Sequence, residues 1–288
     1  MSKTAFVGLG VMGFPMAGHL QAAGHPTCVY NRTGAKAEAW TTEHGGSNAA
    51  TPAAAASGAE LVMLCVGNDN DVRQVALGDE GALAGMAEGS ILVDHTTTSA
   101  TLARELDQAC RERGVGFLDA PVSGGQAGAE NGVLTIMVGG DPGVFNRAEP
   151  VLDVYSKRVR LMGPAGAGQL TKMVNQICLA GLIQGLSEGL SFAMNAGLDA
   201  RSVVDVISQG AAQSWQMDHR HETMIDDFYD HGFAVDWMRK DLGIALEEAQ
   251  RNGSKLDVAA LVDSFYAEIQ AMGGNRWDTS SLMRRLPH

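Results

Sequence analysis

A chain of 288 residues has room for one large or two moderate domains and for a substantial core. Hydrophobic residues make up 45% and charged residues 19%, an ordinary globular balance, and the net charge of −12 argues against the clustered basic surface that nucleic-acid phosphates need. Acidity leaves a small anionic substrate open, because such a ligand needs only local positive groups.

The first strand is expected over Ala5–Gly8, running straight into Gly8-Leu9-Gly10-Val11-Met12-Gly13 and then a helix over Gly13–Ala23. A G-x-G-x-x-G placed between a strand and a helix is the context of a dinucleotide-binding turn. Gly8 would permit the tight turn, Gly10 would let a pyrophosphate approach the backbone, and Gly13 would let helix and strand pack closely. Leu9, Val11 and Met12 complete the cradle, with the helix N-terminus facing the phosphates.

The second strand, Thr27–Tyr30, ends in Asn31-Arg32-Thr33, about 18 residues after Gly13. A carboxylate there would hold the ribose 2′-hydroxyl of NAD. None stands there, and Arg32 and Thr33 can both contact a 2′-phosphate, so NADP(H) is the preferred cofactor. NAD(H) stays possible, since arginine can also stack on adenine or simply face solvent.

Further strands are expected over Leu61–Val66, Ile91–Asp94, Gly116–Asp119 and Leu134–Val138, with helices over Ala35–Glu43 and Ala100–Arg113. This βαβ rhythm implies a mostly parallel, doubly wound α/β sheet, a Rossmann domain over residues 1–163. After the glycine-rich segment 163–168 the pattern turns helical, with a first helix over about Gln169–Asn195 and turn signals at Gly197-Leu198-Asp199 and Asn252-Gly253. Residues 164–288 are therefore expected to form an all-α domain for substrate and for oligomerisation.

Gly181, Gly185 and Gly189 line one stripe of that first helix, but Gln184 and Glu188 interrupt its apolar run, which favours packing between helices over a membrane motif. The N-terminus enters a strand at once and no uninterrupted apolar run approaches the ~20 residues of a membrane span, so the expectation is a cytoplasmic protein without a membrane partner. An all-helical half that cannot bury every face alone suggests a homodimer or homotetramer. Cys28, Cys65, Cys110 and Cys178 are scattered without metal-ligand spacing, so neither a disulfide framework nor a metal site is expected.

Four segments carry a resemblance. They are Gly8 to Ala17, Asp119-Ala120-Pro121-Val122-Ser123-Gly124-Gly125, Gly166-Ala167-Gly168-Gln169-Leu170-Thr171-Lys172-Met173-Val174-Asn175-Gln176, and Lys240-Asp241-Leu242. In this order they resemble the β-hydroxyacid dehydrogenase family, which includes 3-hydroxyisobutyrate dehydrogenase, tartronate semialdehyde reductase and glyoxylate/succinic semialdehyde reductases. The resemblance implies an oxidoreductase that interconverts a short β-hydroxy acid and its semialdehyde. The implied substrate loop is Ser123, Gly124 and Gly125, and Lys240 would contact substrate or cofactor from the helical half. Thr97 resembles the family's hydroxyl residue near the nicotinamide, and Val66 and Gly67 would flank the cofactor.

The chemistry fits the residues as well. Reducing an aldehyde leaves a developing alkoxide that must be stabilised and protonated, and a lysine ammonium can do both when burial and neighbours bring its pKa toward neutrality. Lys172 is that lysine. Asn175 and Gln176 follow at three and four residues, roughly on one helical face, and Asn175 would orient the reacting oxygen or the lysine. Gln176 departs from the Asn-Asn usual in the family, making the second polar contact longer by one methylene. Trp215 falls where relatives carry substrate-contacting residues, Arg220 could add a carboxylate contact, and His95 reads as a packed, hydrogen-bonded histidine. An imine reductase shares the architecture but generally carries another residue at the lysine position. A non-catalytic nucleotide-sensing module would be expected to lose that lysine and add basic segments.

Overall fold

The computed structural model describes residues 1–287, which divide into two compact units, Met1–Lys172 and the chain from Met173 onward. The first unit is built on a nine-stranded sheet: β1 (Thr4–Val7), β2 (Thr27–Tyr30), β3 (Ser47–Asn48), β4 (Leu61–Leu64), β5 (Ile91–Asp94), β6 (Gly116–Asp119), β7 (Val122–Ser123), β8 (Leu134–Gly140) and β9 (Ser156–Gly163). The order is β3-β2-β1-β4-β5-β6-β8-β7, with β9 beside β8. The strands β1 to β6 run parallel, whereas β8 is antiparallel to β6 and β7. The order reverses at β1, between β2 and β4, which makes the carboxyl ends of β1 and β4 the natural place for a ligand.

Parallel strands covered on both faces read as continuous apolar runs, and β1 is fully buried along its length. Successive side chains feed opposite cores. Phe6, Met63 and Val93 join Leu9, Met16, Leu20 and Trp40 on one face; Ala5, Val7, Val62, Leu64 and Leu92 join Leu102, Leu106 and Phe117 on the other. The helices are α1 (Gly13–Ala22), α2 (Gly34–His44), α3 (Pro52–Ala56), α4 (Asp69–Leu77), α5 (Ala82–Gly85), α6 (Ala100–Arg111), α7 (Gly125–Glu130) and α8 (Pro142–Leu152).

Two boundaries differ from expectation for reasons that matter to the site. β1 ends at Val7 rather than Gly8, because Gly8 takes a φ of +100° to turn into α1. β4 ends at Leu64 rather than Val66, because the Val66 N–H leaves the sheet and donates to the Thr96 hydroxyl at 3.0 Å. The strand β9 has no counterpart in the expectation. Its exposed Lys157, Arg158 and Arg160 break any apolar run, as befits an edge strand.

The second unit is helical. Its helices are α9 (Ala167–Asn195), whose first residues belong to the first unit, then α10 (Ala200–Ile207), α11 (Trp215–Ile225), α12 (Val235–Asn252) and α13 (Asp257–Ala271). One core joins Ala180 and Ile183 of α9 to Val235, Met238 and Leu242 of α12 and Val262, Tyr266 and Ile269 of α13; a second joins Leu186 and Leu190 to Val204, Met217 and Met224. At 29 residues α9 is long and apolar enough to cross a membrane by length and composition alone. It also buries Gln176, Gln184, Ser187 and Ser191, and its apolar residues pack into both helical cores, as in a core helix.

The unit division falls at Lys172, nine residues beyond the expected 163/164 boundary. The cause is Asp119, whose carboxylate accepts from the Gly166 N–H at 2.7 Å and the Gln169 N–H at 2.8 Å and so binds the first turn of α9 to the end of β6.

Candidate active site

The glycine turn is held from two sides. The Gly8 N–H donates to the Tyr30 carbonyl at 2.9 Å, and the Leu9 N–H to the Asn31 Oδ1 at 2.9 Å. A Cβ at Gly8 would collide with the Cys65 carbonyl and one at Gly13 with the Gly8 carbonyl, so both positions demand glycine. A Cβ at Gly10 would meet nothing within 4 Å, so the turn is open on that side. The following helix starts at Met12 without a side-chain cap and without an acidic residue in its first turn. An uncapped helix start beside an open glycine is a fitting cradle for a pyrophosphate. Gly10, Val11, Met12 and Gly13 are the residues placed to hold it, while the N–H groups of Gly8 and Leu9 are already spent inside the fold.

At the end of β2, Asn31 braces the glycine turn: it accepts from Leu9, and its Nδ2 donates to the Thr33 carbonyl at 3.1 Å. Arg32 projects outward, 84% exposed, with its Nη1 3.6 Å from the Asp71 carboxylate. Thr33 precedes α2 without using its hydroxyl as a cap. Arg32 and Thr33 thus remain for a phosphate. A nicotinamide dinucleotide fits these residues.

Behind the turn, the loop after β5 is fastened by buried polar groups. The Thr96 hydroxyl accepts from Val66, the Thr96 N–H donates to the Asp94 Oδ1 at 2.9 Å, and Gln169 clasps the loop with both amide ends, donating to the Thr96 carbonyl at 2.8 Å and accepting from the Thr98 N–H at 3.0 Å. Val66 therefore has only its side chain and carbonyl to offer a ligand. Gly67 follows it, and Thr97 lies half-buried between the two residues that Gln169 clasps.

His95 donates from Nδ1 to the Ala120 carbonyl at 2.7 Å, because a carbonyl can only accept; its Nε2 then accepts from the Tyr155 hydroxyl at 2.9 Å. Burial pushes the His95 pKa down to about 4 and the adjacent Asp94 up to about 7, the latter opposed by the Thr96 hydrogen bonds. Burial also raises Asp119, against the pull of the Gly166 and Gln169 amides. His95 is thus the packed, neutral histidine that its sequence context suggested.

The segment after β6 carries Ser123 on β7, then Gly124 at φ +138° and Gly125 at φ +61°, both exposed. Two consecutive positive φ values need glycines and leave an open, polar corner next to the Ser123 hydroxyl. Lys172 lies on the first turns of α9 and is buried, 7% exposed; Asn175 follows three residues on.

In the helical unit, Asn175 Nδ2 donates to Gln176 Oε1 at 2.8 Å, and Gln176 Nε2 donates to Asp241 Oδ2 at 2.7 Å. Lys240 Nζ stands 3.3 Å from Asp241 Oδ1 and 5.7 Å from the Trp237 ring centroid. Gln176 is buried with both amide ends in use, linking Asn175 to Asp241. Trp215 begins α11 half-exposed, stacked on His219 at 4.4 Å. Arg220 pairs with the buried Asp278, Nε to Oδ1 at 3.2 Å, and its guanidinium lies 5.0 Å from the Trp215 ring centroid. No group of three or more potential metal ligands occurs among the described residues.

Three bracing residues were not singled out from sequence: Asp119, Gln169 and Asp241. All three lie inside the recognised motifs, so their positions were visible while their partners were not.

Residues 3–163 match the family described as the NAD binding domain of 6-phosphogluconate dehydrogenase, and residues 166–286 the family described as NAD-binding of NADP-dependent 3-hydroxyisobutyrate dehydrogenase. The chain belongs to the β-hydroxyacid dehydrogenase family. It is an NAD(P)-dependent oxidoreductase acting on CH–OH groups. An oxidoreductase of Shewanella frigidimarina whose substrate is unassigned is 64% identical over 99% of this chain and 98% of its own. The 2-hydroxy-3-oxopropionate reductase of Escherichia coli is 34% identical over 99% of this chain and 97% of its own. Among solved structures, the 3-hydroxyisobutyrate dehydrogenase of Mycobacterium tuberculosis with L-serine superposes with a TM-score of 0.88 at 30% identity, covering 99% of each chain. The likeness to an imine reductase from Pseudomonas, at 20% identity over 98% of each chain and a TM-score of 0.66, is one of fold alone.

Proposed function

We propose that the enzyme interconverts a short β-hydroxy acid and the corresponding semialdehyde and prefers NADP(H). The observation that carries the reading is Lys172, a buried lysine on the first turns of α9, three residues before Asn175. When bound, the nicotinamide supplies or accepts the hydride at the carbinol carbon. In the reducing direction Lys172 gives a proton to the oxygen of that carbon as charge develops there; in the oxidising direction it takes the hydroxyl proton. Asn175 orients the reacting oxygen. Ser123, Gly124 and Gly125 hold the carboxylate, and Lys240 and Trp215 of the helical unit contact substrate or cofactor. Thr97, Val66 and Gly67 border the nicotinamide.

Preference for NADP(H) rests on Arg32 and Thr33 and on the lack of a carboxylate among residues 31–33. A cytoplasmic homodimer or homotetramer completes the reading, supported by exposed apolar residues on α9 such as Leu182 and Phe192. The substrate class is supported by the relatives named for 2-hydroxy-3-oxopropionate and 3-hydroxyisobutyrate.

The test is absorbance at the reduced-nicotinamide band. NADPH and NADH are compared against tartronate, succinic and methylmalonate semialdehydes and glyoxylate, and the oxidising direction is run with 3-hydroxyisobutyrate and L-serine. Turnover of one group with NADP(H) favoured is the expected result, and Lys172→Ala should lower kcat by about 10²–10⁴-fold while NADPH still binds. Full turnover by that variant would remove Lys172 from the chemistry. No turnover with any acid, despite NADPH binding, would move the search to imines or to a sensing role.

A further inference from the structure

Gln176 links two helices through a buried amide, and its surroundings dictate how that amide lies. It is 1% exposed, and its amide bridges two helices: Oε1 faces Asn175 on α9, Nε2 faces Asp241 on α12 at 2.7 Å, and the Met238 sulfur lies 3.7 Å from Nε2. A carboxylate offers only acceptors. Asp241 is buried and held from its other oxygen by the Lys240 ammonium at 3.3 Å, so only the Nε2 end of Gln176 can face it. That choice leaves Oε1 toward Asn175, and only the NH₂ end of Asn175 can face Oε1. Reversing either amide would set two lone pairs against each other, fully buried at Asp241 and half-buried at Asn175, which is costly. The polarity of both amides is thus dictated by one carboxylate.

We propose that Gln176 is a positioning residue for Asn175: backed by Asp241, it locks the Asn175 amide with its nitrogen inward and its Oδ1 on the side away from Gln176. Asn175 then turns its acceptor, Oδ1, away from Gln176, where it suits the O–H of a hydroxy acid or an ammonium, while its second amide proton remains a donor. The inference rests on the reading of Asn175 as the orienting residue of the reaction. A shorter asparagine at position 176 would not span both partners at these distances, which is what the extra methylene accomplishes. The same carboxylate also holds Lys240, so one buried charge sets the positions of two residues assigned to the substrate side.

The test is a double-mutant cycle on the full-length enzyme, using the substrate that the wild type turns over fastest with NADPH. Gln176→Met keeps the volume and removes the relay; it should lower kcat on the order of 100-fold, because small misplacements of a positioning group cost that much. In the Asn175→Ala background the same change should cost less than about threefold, since the residue through which Gln176 acts is gone. A loss of equal size in both backgrounds would overturn the proposal and make Gln176 a structural residue. If Asn175→Ala alone leaves kcat unchanged, the reading of Asn175 fails instead, and the two failures are distinct.

A second readout needs no turnover. With ¹⁵N-asparagine labelling, the Asn175 side-chain amide, identified by its disappearance in Asn175→Ala, should show one slowly exchanging proton, and Gln176→Met or the milder Gln176→Asn should abolish that protection. Rapid exchange in the wild type would refute the relay directly.

Discussion

Asp119 and Asp241 are both buried carboxylates inside recognised motifs, yet they are met by different kinds of group: Asp241 Oδ1 has an ion pair and no hydrogen bond. Asp119 in the nucleotide-binding unit is met by backbone N–H groups at the start of α9. Asp241 in the helical unit is met by side chains, the Gln176 amide and the Lys240 ammonium. Backbone donors are fixed by the helix that carries them, so the first arrangement is scaffold: it fastens α9 to β6 whatever ligand is present. Side-chain donors can rotate and can be replaced, so the second arrangement is the more adjustable of the two.

The largest effect expected from this contrast is on the pH dependence of stability. Asp94 and His95 are buried neighbours at the end of β5 in the nucleotide-binding unit, with opposite shifts. The pKa of Asp94 is raised from the usual 3.8 to about 7, so its contribution to stability is fully present below 3.8 and is lost as pH rises toward 7. The pKa of His95 is lowered from the usual 6.5 to about 4, so its contribution is present above 6.5 and is lost as pH falls toward 4. The two slopes oppose each other in one window. Denaturant titrations across pH 4 to 7 should show the wild type gaining on His95→Asn by about 3 kcal/mol as pH rises, and losing against Asp94→Asn by about 4 kcal/mol. Parallel curves for wild type and either variant would mean that burial does not hold that group's charge out.

Next in size, Asp119→Asn should cost about 1–3 kcal/mol, because an NH₂ then faces a backbone N–H that cannot turn away. Gln176→Met should cost about 1–3 kcal/mol, no more than Asp119→Asn, because Asp241 Oδ2 loses its amide donor while Lys240 stays beside the other oxygen. Thermal melts of the two variants compare them directly, and a larger loss for Gln176→Met would reverse the distinction between scaffold and adjustable cluster.

Arg32→Ala should shift the ratio of kcat/KM for NADPH over NADH by about tenfold toward NADH, the size of one charge-assisted contact. An unchanged ratio would remove Arg32 from cofactor choice. Smallest in energy per residue, Phe192→Asp on the exposed stripe of α9 should lower the oligomeric mass seen by light scattering if that stripe is covered by a second copy.

Much of the fold was legible because the signals are local. The apolar runs of β1, β2, β5 and β6, the glycine turn, and the switch to helix after residue 163 each depend on residues a few positions apart. What escaped was either polar by position, as in β9 with its exposed basic residues, or short, as in β3 and β7 with two residues each. The site divides in the same way. Gly8 and Gly13 announce themselves because only glycine tolerates the turn, and Lys172 and Asn175 share a helical face that spacing alone reveals.

The sequence by itself determined the βαβ rhythm, the nucleotide turn, the family and the residue types around the reaction, since backbone preference and short-range periodicity are written along the chain. Only the tertiary structure decided that Asn31 braces the glycine turn, that Arg220 pairs with Asp278, and that Gln176 links Asn175 to Asp241. A polar side chain's role depends on which partner reaches it, and the partners of Gln176 and Arg220 lie 65 and 58 residues away along the chain. Hydrogen bonds between such distant groups leave no periodic trace, and burial then makes each of them compulsory.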